Sequence, residues 1–272
     1  MPSATRDHVH AGAADRLDRA VAAAAAISRT AARGLIAAGA VFLNGRRCKV
    51  ASRLVQPGDR LQVGEAPAAA PPGSALSILY DADGVLAIDK PPGMPSAPTR
   101  QAASGTALTT LREQRDGRPL WLVHRLDAAA SGVLVFATTR AAAAALSAAF
   151  RDQQVDKRYL ALVDGVPDAA EGMIEEALSV RAGRARIDPR GRPASTAWRI
   201  AARRDATVLL AVEPRTGRLH QIRAHLASIG HPIVGDRLYG GSPAPRLMLH
   251  AESIAVTVAG RPIAISAPWT PP

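Results

Sequence analysis

Residues 66–74, APAAAPPGS, hold only alanine, proline, glycine and serine, with no hydrophobic period. Such a stretch reads as a linker, and it constrains everything else, because a chain interrupted there must fold as two unequal pieces. About 50 residues precede it and nearly 200 follow it, the second piece being large enough for a catalytic core. The expected boundaries are a first unit over 14–65, the linker over 66–74 and a second unit over 75–272.

The formal charge of +11 calls for a polyanionic partner, nucleic acid being the usual one. A basic surface inherited from an arginine-rich proteome is the blander alternative. An anionic membrane would also suit the charge, but there is no basic amphipathic anchor and no apolar run of about 18 residues. Cys48 is the single cysteine, which rules out an internal disulfide framework and argues against a cysteine metal site. The N-terminus MPSATRDHVHAGAADRLDRA has no apolar segment of the secretory kind, so a cytoplasmic protein is expected; the expected oligomeric state is a monomer.

In the first unit, DRLDRAVAAAAA is a helix pattern with Leu17, Val21 and Ala24 on one face. Ser28 can cap a second helix, RTAARGLIAAG, which Gly39 stops. AVFLNGRRCKV reads as a hairpin turning at Asn44-Gly45, and VQPGDRLQV as a further turn and strand. From Asp15 to Glu65 there are nine basic and four acidic residues, a net +5. Arg29, Arg33, Arg46, Arg47 and Lys49 would gather around the second helix and the hairpin. This order of elements, with arginines on helix two, resembles the S4-type RNA-binding domain. The resemblance implies that these five side chains meet an RNA backbone.

In the second unit, SILY and VLAI suggest two strands across an Asp83-Gly84 turn, and DKPPGMP a rigid loop fixed by prolines. RAAAAALSAAF (140–150) is helical by propensity, KRYLALVDG (157–165) and TVLLAVEP (207–214) read as strands. LHQIRAHLASIG (219–230) reads as a helix with Leu219, Ile222, Leu226 and Ile229 as its apolar stripe. Strands and helices mix without steady βαβ alternation, so the fold class is α+β with a largely antiparallel sheet.

Several chemistries are absent from the sequence. There is no phosphate-binding GxxxxGK[ST] loop, no HExxH, no paired cysteines for a deaminase zinc, and no GxSxG elbow around Ser131. His220, His225 and His231 lack metal-ligand spacing on a helix face. What remains is WLVHRLDAAASGVLVFATT, residues 121–139, where HRLD abuts a short apolar run with the composition of a buried strand. An aspartate beside an arginine ahead of a strand is compatible with a plain ion pair or with a nucleophile, Asp127.

HRLD…SGVLVFA, together with DKPPGMP, KRYLALVDG, GRPASTAWRI and PRTGRLHQIRAHLASIGHPIVGDRLYGG followed by RLMLHA, resembles the RluA family of pseudouridine synthases over residues 78–251. The resemblance implies isomerisation of uridine to pseudouridine within RNA, with no metal or organic cofactor. It makes Asp127 the catalytic carboxylate and Arg223 the partner that keeps it ionised and oriented. Tyr159, one of only nine aromatic residues, would stack on the target base and assist proton transfer. Arg125 would fill the gap left by the flipped uridine, with His124 and Arg218 as further RNA contacts. Flipping costs a few kcal/mol and stacking returns about 1–3 kcal/mol per base. Large-subunit ribosomal RNA is the expected substrate and transfer RNA the alternative. Two positions depart from the common family pattern: Ala130 replaces a threonine or serine, and MPSAPT lacks a histidine. Two rival readings are a non-catalytic RNA-binding or ribosome-assembly factor, and a nucleoside hydrolase. The latter needs a second carboxylate about 5–10 Å from Asp127, for which Asp236 is the candidate.

Overall fold

The structure is a computed structural model and describes residues 6–48, 50–64, 75–99, 104–204 and 206–271. The expected linker 66–74 and Lys49 lie outside the described residues, as do the side chains of Arg46 and Arg47. The chain forms two compact units, Met1–Pro71 and Pro72–Pro272.

The first unit runs β1 (Arg6–Val9), β2 (Asp15–Arg16), α1 (Leu17–Ala25), α2 (Arg29–Ala38), β3 (Val41–Leu43), β4 (Arg46–Arg47), β5 (Leu54–Val55) and β6 (Arg60–Val63). The Ser28 hydroxyl accepts the Ala31 amide at the head of α2, and Gly39 ends it in the left-handed region. Asn44 and Gly45 both have positive φ, the backbone a tight β3–β4 hairpin demands. Leu17, Val21, Ile36, Val41, Val55 and Leu61 are buried together. The sheet order β1-β6-β3-β4 takes in a strand ahead of residue 14, where the sequence placed the boundary. That strand, RDHV, has one apolar residue, Val9, which stays exposed. It pairs with β6 along its backbone, and its sequence carries no apolar alternation to announce it.

The second unit runs β7 (Ser77–Ala82), β8 (Val85–Lys90), α3 (Ala107–Gln114), β9 (Trp121–Leu122), β10 (Ser131–Ala137), α4 (Arg140–Arg151), β11 (Val155–Asp164), β12 (Glu171–Ile174), β13 (Leu178–Arg181), β14 (Arg184–Ile187), β15 (Thr196–Arg204), β16 (Thr207–Pro214), α5 (Gln221–Ser228), β17 (Leu249–Val258) and β18 (Arg261–Ser266). Ten strands form one sheet whose main path is β12-β15-β16-β11-β17-β10-β8-β7, with β18 beside β17 and β9 beside β10. All of its pairings are antiparallel except β10 with β17. The fold is therefore α+β with a mixed, mostly antiparallel sheet.

All seven residues of β10 are buried, which is why SGVLVFA reads as an unbroken apolar run. On one face Val133, Val135 and Ala137 pack with Ala142, Leu146 and Ala149 of α4. On the other, Leu134 and Phe136 pack with Ala107 and Leu111 of α3 and with Leu126. Gly132 has φ +106°, and a Cβ there would stand 2.2 Å from the Ala251 carbonyl oxygen. The glycine lets β17 come alongside β10.

One transverse row then crosses five strands: Val212, Tyr159, Ala251, Gly132 and Lys90 are successive register partners. Residues directly opposite one another in a sheet project to the same face. Tyr159, the start of β10 and Lys90 are thus set on one face by backbone pairing alone. Among the described residues no helix is long and apolar enough to cross a membrane.

Candidate active site

Asp127 lies in the loop between β9 and β10, and the residues on either side of it are tied down from the proline loop. The Ser96 hydroxyl donates to the Leu126 carbonyl (2.9 Å) and accepts the Leu126 amide (3.0 Å). The Gly93 amide donates to the Ala128 carbonyl (2.7 Å). The fully buried Lys90 ammonium donates to the carbonyls of Pro91, Met94, Ala128 and Ala130 at 2.6–3.3 Å. Burial pulls the Lys90 pKa down to about 7, against the opposing pull of the Asp127 charge. Asp127 itself keeps a side chain 20% exposed, open to a substrate.

α5 supplies the counter-charge. Its first residue, Gln221, is buried and accepts the Thr216 hydroxyl and the Arg218 amide while donating to the Ser195 carbonyl and the Thr196 hydroxyl. Two residues along, Arg223 donates through Nη1 to Asp127 Oδ2 (3.0 Å). Its Nε and Nη2 form a two-point contact with Asp236 at 2.7 and 2.9 Å. Asp236 is buried, and its Oδ1 also accepts the amides of Leu238 and Tyr239. Burial works against the Arg223 charge, but hydrogen bonds and attraction from Asp236 and Asp127 hold its pKa above the usual arginine range. Bidentate pairing fixes the guanidinium plane, so the third nitrogen meets Asp127 in a set orientation. With both oxygens committed to Arg223, Asp236 is not a second acid or base, and the hydrolase reading loses its candidate.

Tyr159 stands on β11 at an irregularity in the β11–β17 pairing and packs between the two core clusters on either side of the site. Burial and then the Asp127 charge push its hydroxyl pKa well up. His220 caps α5 in the left-handed conformation, φ +50° and ψ +23°. Its Nε2 is 3.9 Å from Asp127 Oδ2, and its Nδ1 is 3.2 Å from the Tyr239 hydroxyl. Sequence reading treated His220 only as a rejected metal ligand; its place beside Asp127 depends on a fold-dependent approach between two loops.

The expected RNA contacts divide. Arg125 is exposed at the mouth, close enough to Asp127's surroundings to act electrostatically on His220. Arg218 is half-buried, with Nε donating to the Pro193 carbonyl. His124 is a correction. Its ring stacks on Phe150 of α4 (4.5 Å between centroids), and its Nε2 accepts the Val135 amide of β10 at 3.0 Å. Burial and then the Lys157 charge pull its pKa down to about 3, so it braces β10 as a neutral ring and presents no cation to RNA. In the first unit Arg29 and Arg33 both turn Nε to the buried Asp18, at 3.0 and 2.8 Å, joined by the unassigned Arg16 at 3.3 Å. Burial would raise the Asp18 pKa, but the three guanidinium groups hold it well below the carboxylate range. The arginine side chains remain 41–54% exposed around it.

Residues 84–228 match the RNA pseudouridylate synthase family, and residues 15–61 match the S4 domain. The chain is 40% identical over 191 residues to the dual-specificity RNA pseudouridine synthase RluA of Salmonella typhimurium, covering 67% of this chain and 87% of that one. The chain belongs to the RNA pseudouridylate synthase family. This pseudouridine synthase is also 37% identical over 283 residues to an uncharacterized RNA pseudouridine synthase of Mycobacterium bovis, covering 93% of this chain and 90% of the other. Among solved structures, the human RNA pseudouridylate synthase domain containing 1 is similar with a TM-score of 0.62 at 28% identity, over 72% of this chain and 85% of that one. The enzyme is an isomerase that converts uridine to pseudouridine in RNA, and its S4 domain makes RNA the partner of both units.

Proposed function

We propose that this pseudouridine synthase acts through Asp127, with Arg223 orienting the carboxylate and Tyr159 as the stacking platform for the flipped uracil. The observation that carries this reading is the chain Asp236–Arg223–Asp127: a buried, two-point-anchored arginine aimed at one partly open carboxylate. An ion pair serving stability alone has no need of an open end. Arg125, exposed beside Asp127, fills the space vacated by the uridine, and Arg218 steadies the backbone at the rim. Arg29, Arg33, Arg46, Arg47 and Lys49 of the S4 unit contact phosphates. The substrate is large-subunit ribosomal RNA, with transfer RNA as the alternative. The enzyme works as a monomer in the cytoplasm, with its catalytic unit over 75–272 and its RNA-binding unit, β1 included, ending at residue 65.

The test is tritium release from RNA labelled at C5 of uridine, comparing the unaltered protein with Asp127→Asn on unmodified ribosomal and transfer RNA. Release by the unaltered protein only, from the ribosomal pool, is the expected result. Equal release by Asp127→Asn removes the carboxylate from the mechanism. Release from transfer RNA alone replaces the substrate assignment.

A further inference from the structure

Converting uridine to pseudouridine exchanges an N1–C1′ bond for a C5–C1′ bond. C5 must therefore lose a proton and N1 must gain one. Some group in the site has to accept the C5 proton, and it needs a free lone pair close to the reacting base.

With the Asp127 carboxylate assigned to the exchange of bonds at the sugar, the groups around it can be taken in turn. Arg223 and Arg125 are cations without a lone pair to offer. Asp236 has both oxygens engaged by Arg223 and backbone amides. The Lys90 nitrogen is fully buried among four carbonyls. Burial and the Asp127 charge keep the Tyr159 hydroxyl protonated. The Tyr239 hydroxyl gives its proton to the Ala185 carbonyl at 3.0 Å. That last bond decides the tautomer of His220. Because the hydroxyl proton is spent on Ala185, Tyr239 accepts from His220, so the imidazole proton sits on Nδ1. Nε2 then carries an unshared pair, 3.9 Å from Asp127 Oδ2, on a side chain 16% exposed. Two acceptors face each other across a gap that would hold one more proton.

We propose that His220 is the general base that removes the C5 proton after the new bond between C5 and the sugar has formed. The C5–H pair returns to the ring as the C5=C6 double bond, and the proton goes to Nε2. The resulting imidazolium lies between Asp127 and the Tyr239 hydroxyl, and its proton leaves to water, while N1 takes a proton from solvent. The inference rests on the reading of Asp127 as the centre of the site.

Two further observations fit this role. His220 is a side-chain-bearing residue in the left-handed region whose side chain makes no capping bond to its helix. The groups facing the ring are Asp127 and Arg125 from the β9–β10 loop, Arg223 from α5, and Asp236 and Tyr239 from the loop after α5. Burial lowers the His220 pKa, Asp127 and Asp236 raise it, and Arg223 and Arg125 lower it, for a net fall below 6.5. The ring is thus a neutral base at pH 7 and is lost as a base on acidification.

The experiment uses full-length protein in single-turnover reactions on RNA carrying uridine or 5-deuterouridine, across pH. His220→Asn, whose side chain tolerates the left-handed backbone, is compared with His220→Ala, with and without added imidazole, and with Asp127→Asn. The expected rate loss for both His220 variants is ~100-fold or more. A primary isotope effect should emerge, the acid limb of the unaltered protein should vanish, and imidazole should restore His220→Ala. An unaltered rate in His220→Asn overturns the proposal, as does a rate loss with neither isotope effect nor rescue, which would mark a positioning role. If Asp127→Asn keeps the full rate, the reading of the site itself fails, separately from His220.

Discussion

Ser96 illustrates how much of the site is held by backbone rather than by the residues that do chemistry. A serine buried to 4% exposure has one hydroxyl, and here it satisfies both the N–H and the C=O of the residue before Asp127. It occupies the MPSAPT segment, where the sequence departs from the family pattern by lacking a histidine. The other departure, Ala130, has a similarly local meaning: its carbonyl receives Lys90 at 2.6 Å, while its methyl group is buried in the core. The loop needs that carbonyl, and the side chain at this position is confined by the core around it. Ser96→Ala would leave two buried polar groups unpaired, a penalty of about 1–3 kcal/mol each. The folded protein should survive with a lowered melting temperature. Small misplacements of a catalytic group cost up to ~100-fold in rate. Single-turnover kinetics on Ser96→Ala should therefore show kcat down by about 10-fold or more with RNA affinity unchanged. Loss of affinity without loss of rate would place Ser96 on the RNA-binding surface instead.

At the scale of elements, α5 shows where the sequence was and was not legible. The spacing of Leu219, Ile222, Leu226 and Ile229 signals a helix, and α5 forms there over Gln221–Ser228. The one-sided stripe is wrong, however: every residue from Gln221 to Leu226 is buried, and Ile229 is among the exposed large apolar residues. The helix passes through the interior, and its polar residues are satisfied by partners distant in sequence. His225, for instance, bonds Thr196 and the Glu176 carbonyl. Periodicity reports an apolar face against a polar one, so it cannot report a helix buried all round whose polar side chains find partners. The same limit hid β1, which pairs by backbone, and left the place of Asp236 to the folded chain. The local signals were strong where chain neighbours decide the outcome: the Asn44-Gly45 and Asp83-Gly84 turns, the Ser28 cap, and SG ahead of β10. Gly132 in that SG is the sharpest of them. Any side chain there collides with the β17 backbone at Ala251, an atom that cannot rotate away. Gly132→Ala should break the β10–β17 pairing and with it the row carrying Tyr159, giving insoluble protein or a melting temperature lower by many degrees. A soluble variant with unchanged melting and activity would show that β17 yields.

At the scale of the whole molecule, the two units divide the work between holding RNA and altering it. The Salmonella RluA relative aligns over 67% of this chain, whereas the mycobacterial relative aligns over 93%. In the first unit three arginines share one buried carboxylate, leaving a cluster of net positive charge with guanidinium faces still exposed. Each arginine meets Asp18 through Nε and keeps a side chain 41–54% exposed, so a phosphate that approached would find the charge partly fixed in place. Such contacts release counterions, and their number is read from the salt dependence of affinity rather than from affinity at one ionic strength. Asp18→Asn should loosen all three guanidinium groups while raising the net charge of the unit. Simple attraction would then strengthen binding, whereas loss of preorganisation would weaken it, so the two effects have opposite signs. We expect weaker binding. For RNA single strands, loss of about three phosphate contacts flattens the log–log salt slope by about 2. The single-turnover rate at saturating enzyme should stay the same, since the chemistry resides in the second unit. The decisive measurement is RNA affinity of Asp18→Asn and the unaltered protein across a salt series. Tighter binding with an undiminished slope would mean that charge alone, and not its arrangement around Asp18, is what the RNA meets.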